Sequence, residues 1–224
     1  MDQNSQRFRQ GVIQKLAKLK YGLGSSTEKP QFIYIPDAPV IMLDPITAFN
    51  VFDPEVIKTL AEWREKVQPY FPSQFQVTLE GTRGWLENQV IKLFDRILFF
   101  VRDVGRTNAP IGHVGLYRFN WEEESCEIDN IVRGQDNLFP GVMKLAIESL
   151  DGWAFNKLGV KILYLKVLAD NERAIKLYER CGFKKFKLIP LRREEKPNMV
   201  QWEEDLTLEK AERYFLQMRL DAPN

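Results

Sequence analysis

Glu127 and Asp129 are separated only by Ile128, in a stretch whose neighbours read as a strand. Side chains two residues apart on a strand share a face, so the two carboxylates project together. Such a pair beside a bound substrate can take a proton from it, directly or through water. The same spacing also suits a strand face that meets solvent or forms salt bridges to a neighbour. His113, the one histidine of the chain, lies in another strand candidate, where it can line a substrate site or pack as a core group. Trp85 and Trp63 offer aromatic surface to a cleft or to the core. Cys126 and Cys181 are the two cysteines, far apart and without metal-ligand spacing. With no Cys/His cluster, a zinc site is not expected. Nothing basic is placed to activate Cys181 as a nucleophile.

The elements that must position these groups follow from periodicity and punctuation. Short strands are expected at 32–35 and 39–43. Asp53 followed by Pro54 predicts a helix running to about Val67. A second helix is expected at 79–92, burying Leu86, Val90 and Ile91. Strands at 97–103 and 111–119 follow, joined by a polar turn at 104–108. After a turn carrying Glu122, Glu123 and Glu124, the next strand is 126–132 and holds the carboxylate pair. A long helix at 141–158, a β-branched and aromatic strand at 162–168 and a helix at 171–181 come next. Asn171 is a cap for that last helix and Gly182 its stop. A Pro/Arg/Glu-rich loop at 190–198, a strand at 200–206 and a helix at 207–220 complete the pattern. This order describes an α/β (α+β) domain built on a mixed, mostly antiparallel sheet.

At the amino terminus, Phe8, Val12, Leu16 and Leu19 recur at helical spacing while Arg7, Arg9, Lys15, Lys18 and Lys20 crowd the other positions. This basic amphipathic helix at 7–21 is suited to an anionic membrane surface, a partner protein or its own domain. Residues 22–29 read as a linker, giving an appendage at 1–30 and a domain at 31–224. The chain has 224 residues, 44% of them hydrophobic, with 32 basic against 31 acidic side chains. That balance gives no field for nucleic acid. No apolar run approaches the roughly 20 residues that span a bilayer, and no signal peptide is evident. The two cysteines suit a reducing compartment, so a cytoplasmic protein is expected, with peripheral membrane contact through 7–21 open.

The segment from Asn171 to Phe183 reads Asn-Glu-Arg-Ala-Ile-Lys-Leu-Tyr-Glu-Arg-Cys-Gly-Phe. It resembles the Asn-x-x-Ala-Ile-x-Leu-Tyr-Glu-x-x-Gly-Phe pattern of the GNAT (GCN5-related) N-acetyltransferases. The strand-then-helix context from Ala154 onward is similar too. Trp63-Arg64, Trp85 and Pro110-Ile-Gly-His-Val-Gly115 are similar to the branch with ribosomal-protein amino-terminal and nucleotide-sugar amine acetyltransferases. Between central strand and long helix the family carries Arg/Gln-x-x-Gly-x-Gly/Ala. Here the matching residues are Leu138-Phe-Pro-Gly-Val-Met143, which keep Gly141 and place the bulk of Met143 where it would crowd the approach.

The resemblance implies a GNAT fold with a splayed central strand pair, flanked by helices. It implies acetyl-CoA as co-substrate, a small-molecule amine as acceptor, and no metal. Backbone groups at Ile131 and Val132 would hold the pantetheine arm. Gly141, Val142, Met143 and Lys144, with Arg133, would hold the pyrophosphate at a helix amino terminus. Asn171 would contact the cofactor. Tyr178 would protonate the leaving thiolate, and Glu127 or Asp129 would take the amine proton. His113 and Trp85 would border the acceptor. Ile128-Asp-Asn-Ile-Val-Arg-Gly134 with Pro140-Gly-Val-Met143 resembles acetyltransferases of surface-polysaccharide synthesis, which points to a nucleotide-activated aminosugar. The alternatives are a protein amino terminus or small-metabolite amine, or a non-catalytic binding module. A homodimer is compatible with the family.

Overall fold

Asp53 caps the helix that follows it, its carboxylate accepting from the backbone N–H groups of Glu55 at 3.0 Å and Val56 at 3.4 Å. Pro54 stands at the first helical position of α2 (Pro54–Val67), where its missing N–H breaks no helix bond. Thr78 caps α3 (Leu79–Trp85) by accepting from Gly81 N at 3.0 Å. That helix runs on as a wider π turn over Leu86–Ile91, so the expected single helix at 79–92 is one continuous but uneven element. A computed structural model describes residues 2–21, 33–34, 41–103, 108–135 and 141–223. The expected linker, and parts of the turn at 104–108 and of the 138–143 loop, lie outside these residues.

Among the described residues, ten strands form one sheet. In chain order they are β1 (Ile33–Tyr34), β2 (Ile41–Pro45), β3 (Ser73–Phe75), β4 (Ile97–Asp103) and β5 (Ala109–Asn120), then β6 (Ser125–Arg133), β7 (Ile162–Leu168), β8 (Lys184–Lys196), β9 (Met199–Glu204) and β10 (Arg213–Asp221). Across the sheet the order is β1-β2-β4-β5-β6-β7-β10-β8-β9-β3. Every pairing is antiparallel except β6 with β7. That parallel pair holds only at Ser125↔Ile162, Cys126↔Leu163 and Glu127↔Tyr164, beyond which the strands part. The splayed central pair is thus present, at the position of the carboxylates.

Strand alternation sorts the core into two layers. Leu98 and Phe100 of β4 face α2 and α3 together with Trp63 and Leu86. Ile97, Phe99 and Val101 face the opposite layer, built by α4 (Val142–Trp153) and α5 (Glu172–Arg180) with α1 (Gln3–Tyr21). Val12 and Leu16 of α1 are fully buried there. The apolar stripe of the amino-terminal helix therefore packs on its own domain, and Arg7, Arg9, Lys15 and Lys18 stay exposed. Lys20 is buried and donates to the carbonyls of Val90 at 3.3 Å, Ile91 at 3.0 Å and Leu93. Those carbonyls end the α3 segment and have few partners within the helix, so Lys20 ties α1 to it. No helix among the described residues is long and apolar enough to cross a membrane.

Two expectations at the carboxyl-terminal end fail. The expected helix at 207–220 is the strand β10. Its many helix formers hide a period-two alternation, Leu216 and Met218 inward, that seven residue pairs with β7 and seven with β8 select. The expected loop at 190–198 is largely the second half of β8. Its charges mimic a loop composition but form ion pairs across the hairpin, Arg192 with Glu203 at 3.9 Å and with Asp205 at 3.4 Å. Asn198, with φ 65°, makes the tight turn into β9.

Asp151 of α4 is 4% exposed, and neither carboxyl oxygen has a partner among the described residues. Burial, with Glu148 nearby, pushes its carboxyl well above the ordinary range. The folded state therefore keeps a proton that the unfolded chain releases above about pH 4, and stability falls as pH rises from there. Asp151→Asn should therefore raise the melting temperature at pH 8, because the amide carries no charge to desolvate. The gain should vanish near pH 4, as thermal melts across that range would report.

Candidate active site

The site forms where β6 leaves β7. On its other side β6 pairs with β5 through a bulge: His113 faces Val132, Gly115 faces Asp129, and Asn130 and Ile131 together oppose Val114. Asn130 carries the kink with φ 52°, a conformation asparagine tolerates better than most residues. Asp129 holds the bulge, accepting from Asn130 N at 2.7 Å and from the Asn130 side-chain amide at 2.6 Å. The Asn130 carbonyl lies 2.6 Å from Nδ1 of His113. A carbonyl only accepts, so Nδ1 carries the proton and Nε2 is left as an acceptor. Burial pulls His113 down to about 4, which keeps the ring neutral. Trp63 packs over it with ring centroids 5.9 Å apart.

The carboxylate pair both borders the cleft and is ion-paired to neighbouring strands. Glu127 borders the cleft and is bridged by Arg118 of β5 and Lys166 of β7, each at 3.1 Å. Lys166 also reaches Glu204 of β9 at 2.8 Å. Asp129 pairs with Arg96, whose guanidinium lies 4.4 Å from the Tyr117 ring centre and 5.8 Å from that of Trp85. Asp129 is thus occupied in holding the bulge, while Glu127 is held between two strands by cations.

Beyond the split stands the amino terminus of α4. Gly141 occupies the cap with φ 87°, and a β-carbon there would meet nothing within 4 Å among the described residues. The first N–H groups of any helix have no acceptor inside it. Met143 is 6% exposed and turned into the core, its sulfur 3.3 Å from where a β-carbon on Gly112 would stand. Gly112 and Met143 therefore fit each other, which corrects the expectation that Met143 crowds the approach. Lys144 pairs with Glu148 one turn along. Arg133 Nε donates to the Gln135 carbonyl at 3.0 Å.

From the other wall, Asn171 accepts from Ala174 N at 3.2 Å and caps α5. Tyr178, two turns on, is buried, and its phenol is pushed up by burial with a contribution from Cys181. Its hydroxyl has no hydrogen-bond partner among the described residues. Cys181 is pushed up to about 12, mainly by burial, and Cys126 well up for the same reason, so both stay thiols.

These walls enclose a cleft of about 1120 Å³. It is bordered by Tyr178, Glu127, Asp129, Ile131, Val132, Arg133, Gly141, Val142, Met143, Lys144, Asn171, His113 and Trp85, whereas Trp63, offered to a cleft or to the core, lies in the core. Arg64, Arg96, Lys166, Phe71 and Phe75 also line it and were missed. They come from separate elements and meet only through the fold; the one local signal was Arg64 beside Trp63.

Comparison with known proteins agrees with this architecture. The family model described as Acetyltransferase (GNAT) domain matches residues 47–184. A spermidine N-acetyltransferase from Vibrio cholerae, solved with CoA and spermine, superposes with a TM-score of 0.61 at 16% identity. The match covers 81% of this chain and 95% of that one. A probable GNAT acetyltransferase from Chromobacterium violaceum gives a TM-score of 0.63 at 15% identity, covering 89% and 91%. No curated protein matches the sequence. With more than half of its length matched by the domain model and the splayed strand pair in place, the chain belongs to the GNAT acetyltransferase family.

Proposed function

We propose that the cleft binds acetyl-CoA and directs its acetyl group to a primary amine, foremost the amino group of a nucleotide-activated aminosugar. The observation that carries this reading is the β6/β7 split, which runs from the carboxylates to the amino terminus of α4 and is overlooked by Tyr178. The residues fit the co-substrate. The N–H groups of Gly141, Val142 and Met143, which have no acceptor within the helix, suit a pyrophosphate, helped by the helix dipole and by Arg133 and Lys144. Pro140 removes no donor inside the helix, which begins at Val142.

Acetyl-CoA supplies an activated thioester. The chain does the rest. Past Glu127, β6 has no β7 partner, so backbone groups around Ile131 and Val132 are available to the pantetheine arm and the thioester carbonyl, an oxyanion-type stabilisation. Glu127 receives the amine proton, directly or through water, and Arg118 and Lys166 hold it in place. Asp129 is a positioning residue, because its oxygens hold the bulge and Arg96. Tyr178, protonated throughout the physiological range, donates to the departing sulfur. Trp85 and His113 bound the acceptor end. The aminosugar assignment is supported by the Ile128–Gly134 motif, which forms this bulge.

The test is thiol release from acetyl-CoA with a panel of nucleotide aminosugars, free-amine peptides and spermidine. Turnover fastest with an aminosugar nucleotide is expected. Preference for peptides or spermidine would replace the acceptor assignment, and thiol release with none of them would favour a binding module.

A further inference from the structure

Among the described residues the cleft is lined by nine basic side chains and three acidic ones, Glu127, Asp129 and Glu204. All three acids are already paired with Arg118, Lys166 or Arg96. No carboxylate is left over to greet a polycation, whatever the neighbours of similar fold accept. Four of the cations, Arg133, Lys144, Arg173 and Arg180, sit on or beside α4 and α5 and suit the phosphates of acetyl-CoA. Arg64 belongs to α2.

The Arg64 guanidinium lies 4.3 Å from the ring centre of Phe71 and 5.0 Å from that of Phe75. Nη2 donates to the Ser73 carbonyl at 2.5 Å, while Nη1 is buried with no acceptor. No ion pair engages it among the described residues. Burial pulls it down to about 10, with Glu65 only partly opposing. Arg64 nevertheless borders the cleft, and a stacked, planar cation without an ion pair suits an anion there. Its aromatic cuff comes from the segment joining α2 and α3.

Resting on the acetyltransferase reading of the cleft, we propose that Arg64, clasped by Phe71 and Phe75, binds a phosphate or carboxylate carried by the acceptor. The acceptor class is thus an anionic amine, with the amino group presented at Glu127 and the anion held at Arg64. The competing account is mechanical: Arg64 staples the 71–75 segment to α2 and touches no substrate.

Calorimetry on the full chain saturated with CoA separates the two, using glucosamine 1-phosphate and glucosamine as probes. The phosphate-bearing amine should bind at least about ten-fold more tightly, the advantage falling below about two-fold in Arg64→Met. Arg64→Lys keeps the charge without the planar fork and should retain part of the advantage. Affinity for CoA should be the same in all three proteins. Equal binding of the two amines by the parent protein, or an advantage that persists in Arg64→Met, would overturn the proposal. If Arg64→Met does not fold, Arg64→Lys decides: an undiminished advantage overturns it, and a loss of about three-fold or more upholds it. Failure of the acetyltransferase reading would appear elsewhere, as no stabilisation by acetyl-CoA, and the binding preference could still be measured.

Discussion

Tyr178→Phe should lower kcat by about 10²–10⁴-fold, the usual scale for losing a positioned acid, and leave the affinity for acetyl-CoA unchanged. The substitution removes one oxygen from a ring that is 7% exposed and packed with Ile175 and Cys181 in the main core. Phenylalanine fills the same space, so the fold should tolerate it. The missing oxygen is the one that has no partner among the described residues and borders the cleft. Because burial raises the phenol, the parent enzyme should show no loss of this acid below about pH 10. Single-turnover kinetics with separately measured acetyl-CoA binding would check both halves. Unchanged turnover would reduce Tyr178 to a packed aromatic of an amphipathic helix.

Gly134→Ala should destabilise the protein by about 3 kcal/mol or more, beyond ordinary overpacking, and lower the melting temperature by roughly 6–12 °C. A β-carbon on Gly134 would stand 2.0 Å from Cε2 of Trp63 and 2.3 Å from Cζ2. Trp63 is buried, edge-on to Phe100 with centroids 6.1 Å apart, so the ring cannot withdraw cheaply. Gly134 N also donates to the Ile111 carbonyl at 2.9 Å, which fixes its backbone. Any shift of Trp63 moves the surface against which His113 rests, so activity should fall along with stability. Gly152→Ala is the control. It lies in α4 with nothing within 4 Å of an added β-carbon, and should be neutral or stabilising by about 0.5–1 kcal/mol. Paired thermal melts and turnover rates of the two variants would check the contrast.

What could be read in advance was local. Asp53-Pro54 and Asn171 with Gly182 mark helix ends through chemistry confined to a few residues, and the helices lie where those caps predict. The period-two spacing of Glu127 and Asp129 put both on the face that meets the cleft. Their partners were not legible, since Arg96, Arg118 and Lys166 reach them from three separate segments. The same holds for Arg64, whose aromatic neighbours follow it by seven and eleven positions and meet it only once the chain turns back. At 207–220, helix formers outvoted an alternation that only pairing with β7 and β8 makes decisive. At 190–198, charges that looked solvated are bound across a hairpin. Met143 seemed an obstacle because its compensating partner, Gly112, lies 31 positions earlier.

The central claim is that the split between β6 and β7, with the amino terminus of α4, forms an acetyl-CoA site. The most direct measurement is the melting temperature of the full chain as acetyl-CoA is raised to saturation. At about 100 times the dissociation constant, binding should add roughly 2.7 kcal/mol, or about 5–11 °C. Gly141→Ala, which forces a side chain into φ 87° at the phosphate end, should weaken that response. An unchanged melting temperature at saturating acetyl-CoA would contradict the account.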